Sequence, residues 1–328
     1  MLEKILQAKK HVFLVFLFSG FFLWATLCID IMIPYKDTNN YLFAFLDKIN
    51  LINTPSHSPR LILLGGSSLA FGIDSREIEA VYKVRVINMS LHAGLGLKFI
   101  LDSAKPFLRE GDVVVLSFEY NYPFGKSMYG DDTLLFLLQN VYPQGYKLLT
   151  IQQSLALLEY VPGYLRGITT KLFYNRLRGE LDECYDRRAF NKQGDMIYHW
   201  NDKLQNHKFK PKGAYKILIN QDSFSYIDEF KAELNNKGVR VIFLYPSIQE
   251  STYRNQFNNI KEIENLLKMR AVSSDIANTP EEAVLPDNFF YDTPYHLNKE
   301  GTVVQTGRFI KLLDRSRVFT HKTLPSFP

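Results

Sequence analysis

The chain of 328 residues reads as an α/β protein, a three-layer α/β/α sandwich built on a parallel sheet of about five strands. Three observations carry that reading. The runs Leu61–Leu64, Val84–Asn88, Val113–Ser117 and Arg240–Tyr245 have the length and apolar content of buried strands. Stretches of helical, amphipathic spacing separate them. The alternation of strand and helix from residue 60 to 117 fits right-handed βαβ units, which build parallel sheets.

Composition supports a folded chain. Hydrophobic residues make up 46% and charged residues 22%, ordinary for a globular protein of one large or two small domains. The net charge of +5 is spread along the chain, with no dense Lys/Arg run interleaved with aromatics, which argues against nucleic acid as a partner. Cys28 and Cys184 lie far apart and suggest neither a disulfide framework nor a metal site, so no cofactor or metal is expected.

The amino terminus departs from this pattern. Val12 through Ile29 carries no charge over 18 residues, a helix of about 27 Å at ~1.5 Å per residue. Lys4, Lys9 and Lys10 precede it, which would keep the amino terminus cytoplasmic and export the rest. Residues 1–33 are therefore expected to be a single-pass signal anchor in the cytoplasmic membrane, with membrane lipid as a partner. A cleaved signal peptide competes, but no small-x-small site follows the segment; a buried core helix is the third alternative. Residues 34–58, with Pro34, Asn39, Asn40, Asn53 and Pro55, suit a linker.

Within the domain, Leu61–Leu64 ends at Gly65-Gly66-Ser67-Ser68, and Ser75–Tyr82 follows as a short helix with Asp74 or Ser75 as its cap. A helix over Lys98–Arg109 leads to Val113–Ser117. Residues 123–220 break the alternation and read as a mostly helical insertion, with candidate helices at Thr133–Gln139, Ile151–Tyr160 and Thr169–Leu177. The sheet resumes after a helix at Ser223–Asn235, with a short fifth strand around Asn288–Tyr291 and a closing helix at Lys299–Leu313. The catalytic domain is thus expected over 59–122 and 221–318.

Two places carry chemistry. A serine at the carboxyl end of a buried strand, just before a helix, sits where open α/β sheets bind ligands. Near the other end, His296 precedes the last helix on a loop that also holds Asp292. A serine hydroxyl needs a base, usually a histidine oriented by a carboxylate. Asp287 is a second candidate acid.

Gly66-Ser67-Ser68-Leu69-Ala70-Phe71-Gly72 resembles the first block of the SGNH/GDSL hydrolases, with Ser67 in place of the aspartate and Ser68 as the implied nucleophile. The variant is similar to membrane-tethered branches that act on cell-envelope polymers, including the teichoic-acid D-alanylation protein. His296-x-Asn298-x-x-Gly301 is similar to the last block, although Asp292 stands one residue farther from the histidine than the family pattern has it. Val86-Ile87-Asn88-x-Ser90-Leu91 resembles the second block, which makes Gly94, or alternatively Ser90, the implied oxyanion donor. The third-block Gly-x-Asn-Asp is missing; Glu119 is placed at the pocket floor and Asn121 as the substitute donor.

The resemblance implies an SGNH/flavodoxin-like fold and a serine esterase or O-acyltransferase working through Ser68, His296 and Asp292. Its implied substrate is an acylated cell-envelope or exported polysaccharide or an acyl carrier, with other envelope-polymer biosynthesis proteins as possible partners. The alternative from another class is a non-catalytic carbohydrate-binding or assembly protein on the same fold. His92, His199 and His207 read as structural.

Overall fold

An apolar strand buried on both faces needs helices on both sides, and the chain supplies them. β1 (Arg60–Gly65) is buried along its whole length. It pairs in parallel with β2 (Arg85–Asn88) on one side and β3 (Val113–Ser117) on the other, and β3 pairs with β4 (Arg240–Leu244). The spatial order β2-β1-β3-β4 reverses direction at β1. The crevice between the carboxyl ends of β1 and β3 is therefore the topological switch point. The computed structural model describes residues 2–32, 37–57, 59–120, 124–166, 185–201 and 218–319.

Side chains alternate across the sheet. Ile62, Leu64, Val114, Leu116, Val241 and Phe243 enter one core, closed by α2 (Ala44–Asn53), α5 (Leu97–Ala104), α6 (Asp132–Asn140), α7 (Ile151–Leu158), α8 (Gln221–Asn236) and α10 (Phe257–Lys268). Leu61, Leu63, Val113, Val115, Ile242 and Leu244 enter the other. There α3 (Ser67–Gly72), α4 (Ser75–Tyr82) and α11 (Lys299–Arg315) contribute Leu69, Ile78, Phe309 and Leu313. Asp74 caps α4 by accepting from the Arg76 N–H.

The architecture is an α/β domain with a small parallel sheet and many helices, and this corrects the expected sandwich in two ways. First, Asn288–Tyr291 is not a fifth strand: Asp287–Phe289 is a 3₁₀ turn that follows Pro286, a residue with no N–H to give a ladder. The extra pairing is a separate two-residue ladder between β5 (Ile248–Gln249), just before α9 (Glu250–Asn255), and β6 (Val284–Leu285). Second, α1 (Leu2–Met32) is helical, but among the described residues no helix is long and apolar enough to cross a membrane. The expected anchor at Val12–Ile29 is overturned, and with it the lipid partner and the single-pass placement in the cytoplasmic membrane.

The stretch read as a linker holds α2, whose Phe45, Lys48 and Ile52 are buried. Of the insertion, α6 and α7 pack on the first core. Residues 185–201 run as a strap of 3₁₀ turns across the carboxyl edge of the sheet. The candidate helix Thr169–Leu177 and His207 lie outside the described residues.

One buried ion pair ties the amino-terminal edge together. Arg60 is 1% exposed and forks onto Asp112, Nε to Oδ1 at 2.9 Å and Nη2 to Oδ2 at 2.5 Å. The same guanidinium donates to the carbonyls of Ile52 and Phe107, which pins the end of α2 and the approach to β3. Arg60→Met should leave Asp112 charged, buried and without its partner. We expect a loss of about 3–5 kcal/mol, read as a lower urea midpoint.

Candidate active site

Two glycines let the serine turn close onto β3. A Cβ on Gly65 would lie 2.0 Å from the Ser117 carbonyl oxygen, and one on Gly66 would lie 2.1 Å from Glu119 Oε2. The chain then enters α3, whose first turn holds Ser67 and Ser68. Ser68 is 4% exposed, and its Oγ has no hydrogen-bond partner among the described residues. Its N–H donates to Glu119 Oε1 at 2.7 Å, and Ser67 Oγ donates to the same oxygen at 3.4 Å. Glu119 is 2% exposed, and its Oε2 also has no partner among the described residues. Burial pushes the Glu119 carboxyl above its ordinary pKa, against the Ser68 N–H and the charge of His296, which pull it down.

The histidine arrives from the opposite end of the chain. Asn298 caps α11 by accepting from the Gly301 N–H at 2.9 Å, and a Cβ on Gly301 would lie 2.4 Å from the Phe289 carbonyl oxygen. Those two residues set the loop from which His296 projects. Thr293 Oγ1 accepts from the His296 N–H at 3.1 Å and Tyr291 N–H donates to the His296 carbonyl at 2.8 Å. This tight turn absorbs the extra residue, so Asp292 Oδ1 lies 2.8 Å from His296 Nδ1. With Nδ1–H donated to the carboxylate, Nε2 is the nitrogen left free to take a proton. Burial raises the Asp292 pKa, but the hydrogen bond and charge of His296 and the Tyr185 hydroxyl outweigh it and hold the carboxyl below its usual range.

Phe71 brings the two ends together. The His296 ring stacks on it, with centroids 3.9 Å apart and planes 5° from parallel. Phe71 is one helical turn beyond Ser68, so the imidazole rests on the helix that carries the serine. Ser68 Oγ makes no hydrogen bond to His296. A small cavity borders Ser68 on the α11 side, lined also by Gly72, Ser117, Ser247, Gln305 and Phe309. Gln305 Oε1 is buried there and has no partner among the described residues.

The remaining candidates are placed as follows. Gly94 N–H donates to His92 Nδ1 at 3.0 Å, and Ser90 N–H donates to Asn88 Oδ1, with Ser90 Oγ 3.4 Å from the Leu63 carbonyl. Neither N–H is open to a ligand. Asn121 lies outside the described residues. Asp287 accepts from the Ser251 N–H at the start of α9. Among the described residues no group of three His, Cys, Asp or Glu side chains could hold a metal ion.

The strap supplies what sequence reasoning missed. Tyr185 donates its hydroxyl to Asp292 Oδ2, and the Tyr185 hydroxyl oxygen lies 3.3 Å from His296 Nδ1. His199 donates from Nε2 to the Leu297 carbonyl at 2.8 Å, and its ring lies 4.9 Å from that of Phe71. Met196 N–H donates to the Ala70 carbonyl at 2.8 Å. A single tyrosine 111 residues from its histidine leaves no local signal. Compared with known families and characterised proteins, the chain matches no family model and no characterised protein.

His92 gives the site a pH signature. Burial, and then the charge of His296, pull its pKa from 6.5 down to about 4, with Asp132 acting the other way. Between those values the unfolded chain binds a proton that the folded one does not, so stability should fall as pH drops from about 6.5 to about 4. His92→Asn keeps a side-chain acceptor for Gly94. It should flatten that loss relative to wild type in urea titrations across the window.

Proposed function

We propose that the chain is a serine esterase or O-acyltransferase in which Ser68 attacks an acyl ester, His296 moves the proton and Asp292 orients the imidazole. The observation that carries this reading is the Asp292–His296 pair stacked on Phe71, one helical turn from a buried serine hydroxyl with no partner among the described residues. Ser68 Oγ forms a bond to the ester carbon as its proton passes to His296 Nε2. Collapse of the tetrahedral adduct breaks the bond to the leaving alcohol, which takes that proton back. Water or a second hydroxyl then releases the acyl group by the same route in reverse. Catalytic hydrogen bonds in unliganded sites are often long or poorly aligned and tighten on binding. The resemblance at Gly66–Gly72 and His296–Gly301 supports an acylated glycan as donor or acceptor.

A second reading, carbohydrate binding without turnover, is favoured by one specific observation. The two backbone N–H groups best placed to hold an oxyanion, those of Ser68 and Gly94, are directed at Glu119 and His92.

A serine-directed fluorophosphonate separates the two readings. Wild type should label, Ser68→Ala and His296→Ala should not, and Ser67→Ala should keep much of the labelling. Asp292→Asn should slow it by about 10⁴ with little effect on folding. A wild type that never labels, or a Ser68→Ala variant that does, would sink the enzyme reading.

Tyr185→Phe keeps the ring against Phe71 and removes only the hydroxyl. It leaves one Asp292 oxygen without its donor, and should slow labelling by about tenfold, the equivalent of one hydrogen bond to a charged group. An unchanged rate would show that Tyr185 does not position the pair.

A further inference from the structure

The carboxyl of Glu119 lies directly beneath the serine turn, and its surroundings constrain its proton. The groups facing it are the Ser67 and Ser68 hydroxyls and the Ser68 N–H from α3, its own backbone N–H, the Gly66 backbone and, at longer range, His296 from the loop before α11. None of these is a lysine or arginine. A carboxylate buried to 2% exposure without a cationic partner is expensive, and the usual escape is to bind a proton. The two oxygens already differ as those of a neutral acid would. Oε1 accepts the Ser68 N–H, as a carbonyl oxygen does, while Oε2 lies against Gly66 with no partner among the described residues.

The site also lacks something that Oε2 can supply. Attack by Ser68 on an ester moves an electron pair onto the carbonyl oxygen, which then needs a donor aimed at it. The Ser68 and Gly94 N–H groups are already engaged. We propose that Glu119 stands as a neutral carboxylic acid and that its Oε2 hydroxyl is the hydrogen-bond donor that meets the negative oxygen formed at Ser68. The proton stays on Glu119 throughout, because the one that moves is the Ser68 proton, taken by His296. Gly66 is required in the same arrangement, since any side chain there would displace the carboxyl. This inference rests on the reading of Ser68 as a nucleophile.

Glu119→Gln separates a neutral acid from a carboxylate, because an amide keeps an acceptor for the Ser68 N–H and an N–H donor in place of the hydroxyl. The infrared difference between wild type and Glu119→Gln at neutral pH should contain the carbonyl stretch of a protonated carboxyl; its absence would overturn the proposal, whatever the labelling does. Fluorophosphonate labelling should slow less than tenfold in Glu119→Gln and by about 100-fold or more in Glu119→Ala, the usual effect of removing an oxyanion donor. Gln labelling as slowly as Ala, with circular dichroism showing both folded, would also overturn it. A third measurement needs no reagent. A carboxyl whose folded-state pKa is raised loses stability as pH climbs from the unfolded value toward the folded one. Wild type should therefore fall behind Glu119→Gln in urea midpoint as pH rises, and parallel curves would count against a neutral acid. A wild type that never labels would defeat the reading of Ser68 itself and the donor role with it, whereas a wild type that labels but lacks the carboxyl band would defeat only the role given to Glu119.

Discussion

The close approach of β1 and β3 at their carboxyl ends is the constraint from which the site follows. Gly65 pairs with Ser117 in the ladder, and no side chain fits between them. Only that closeness puts the serine turn over the residue two places beyond Ser117, so that the Ser68 N–H reaches the Glu119 carboxyl. Because the strand order reverses at β1, nothing else in the sheet fills the crevice. The His296 loop and the strap then close over it from the carboxyl side, and Phe71 is the surface on which they meet.

Much of this was legible in the sequence wherever the signal is local. The apolar runs of β1, β3 and β4 are short, continuous and bounded by turn residues, and they are strands. Asp74 looked like a helix cap and is one. The His-x-Asn-x-x-Gly pattern was visible as well, and the structure gives it a plain physical meaning: Asn298 caps a helix and Gly301 makes room for a carbonyl, which together fix the histidine that precedes them. What failed, failed where tertiary context decides. Asn288–Tyr291 has strand-like aromatics, but Pro286 and the following turn leave it no ladder to join. Val12–Ile29 is apolar enough to suggest a membrane span by composition, whereas among the described residues no helix is long and apolar enough to cross a membrane. Tyr185 could not be found at all, because no periodicity or spacing links a tyrosine in an irregular insertion to an aspartate 107 residues away.

The strap is held by more than its contacts with the imidazole. Asp195 is fully buried and accepts from the Ser75 N–H and hydroxyl, from Asn88 Nδ2 and from Asn191 Nδ2. Lys48, also buried, donates to the carbonyls of Asn88 and Gly194, and its ammonium lies over the Phe190 ring. Burial pulls the lysine's pKa down and the aspartate's up, so each disfavours its own charge, and the hydrogen bonds from α2, α4 and β2 compensate. Three elements of the first eighty-eight residues thus grip the strap at one point. A few residues earlier, Arg187 pairs with Asp47 of α2 on the surface.

Such long-range stitching has a kinetic meaning. Bringing Tyr185 to its histidine closes a separation of 111 residues, an entropic penalty on the order of 4 kcal/mol that no local contact offsets in advance. Only the β2-β1-β3 unit, whose strands all fall between Arg60 and Ser117, faces a smaller barrier; β4 joins β3 from Val113 to Arg240, farther apart than Tyr185 and His296. A refolding chain therefore recovers β1, β2 and β3 before β4 is added and the imidazole is seated. The first dichroism to return will come from molecules in which the Asp292–His296 pair and Tyr185 have not yet met.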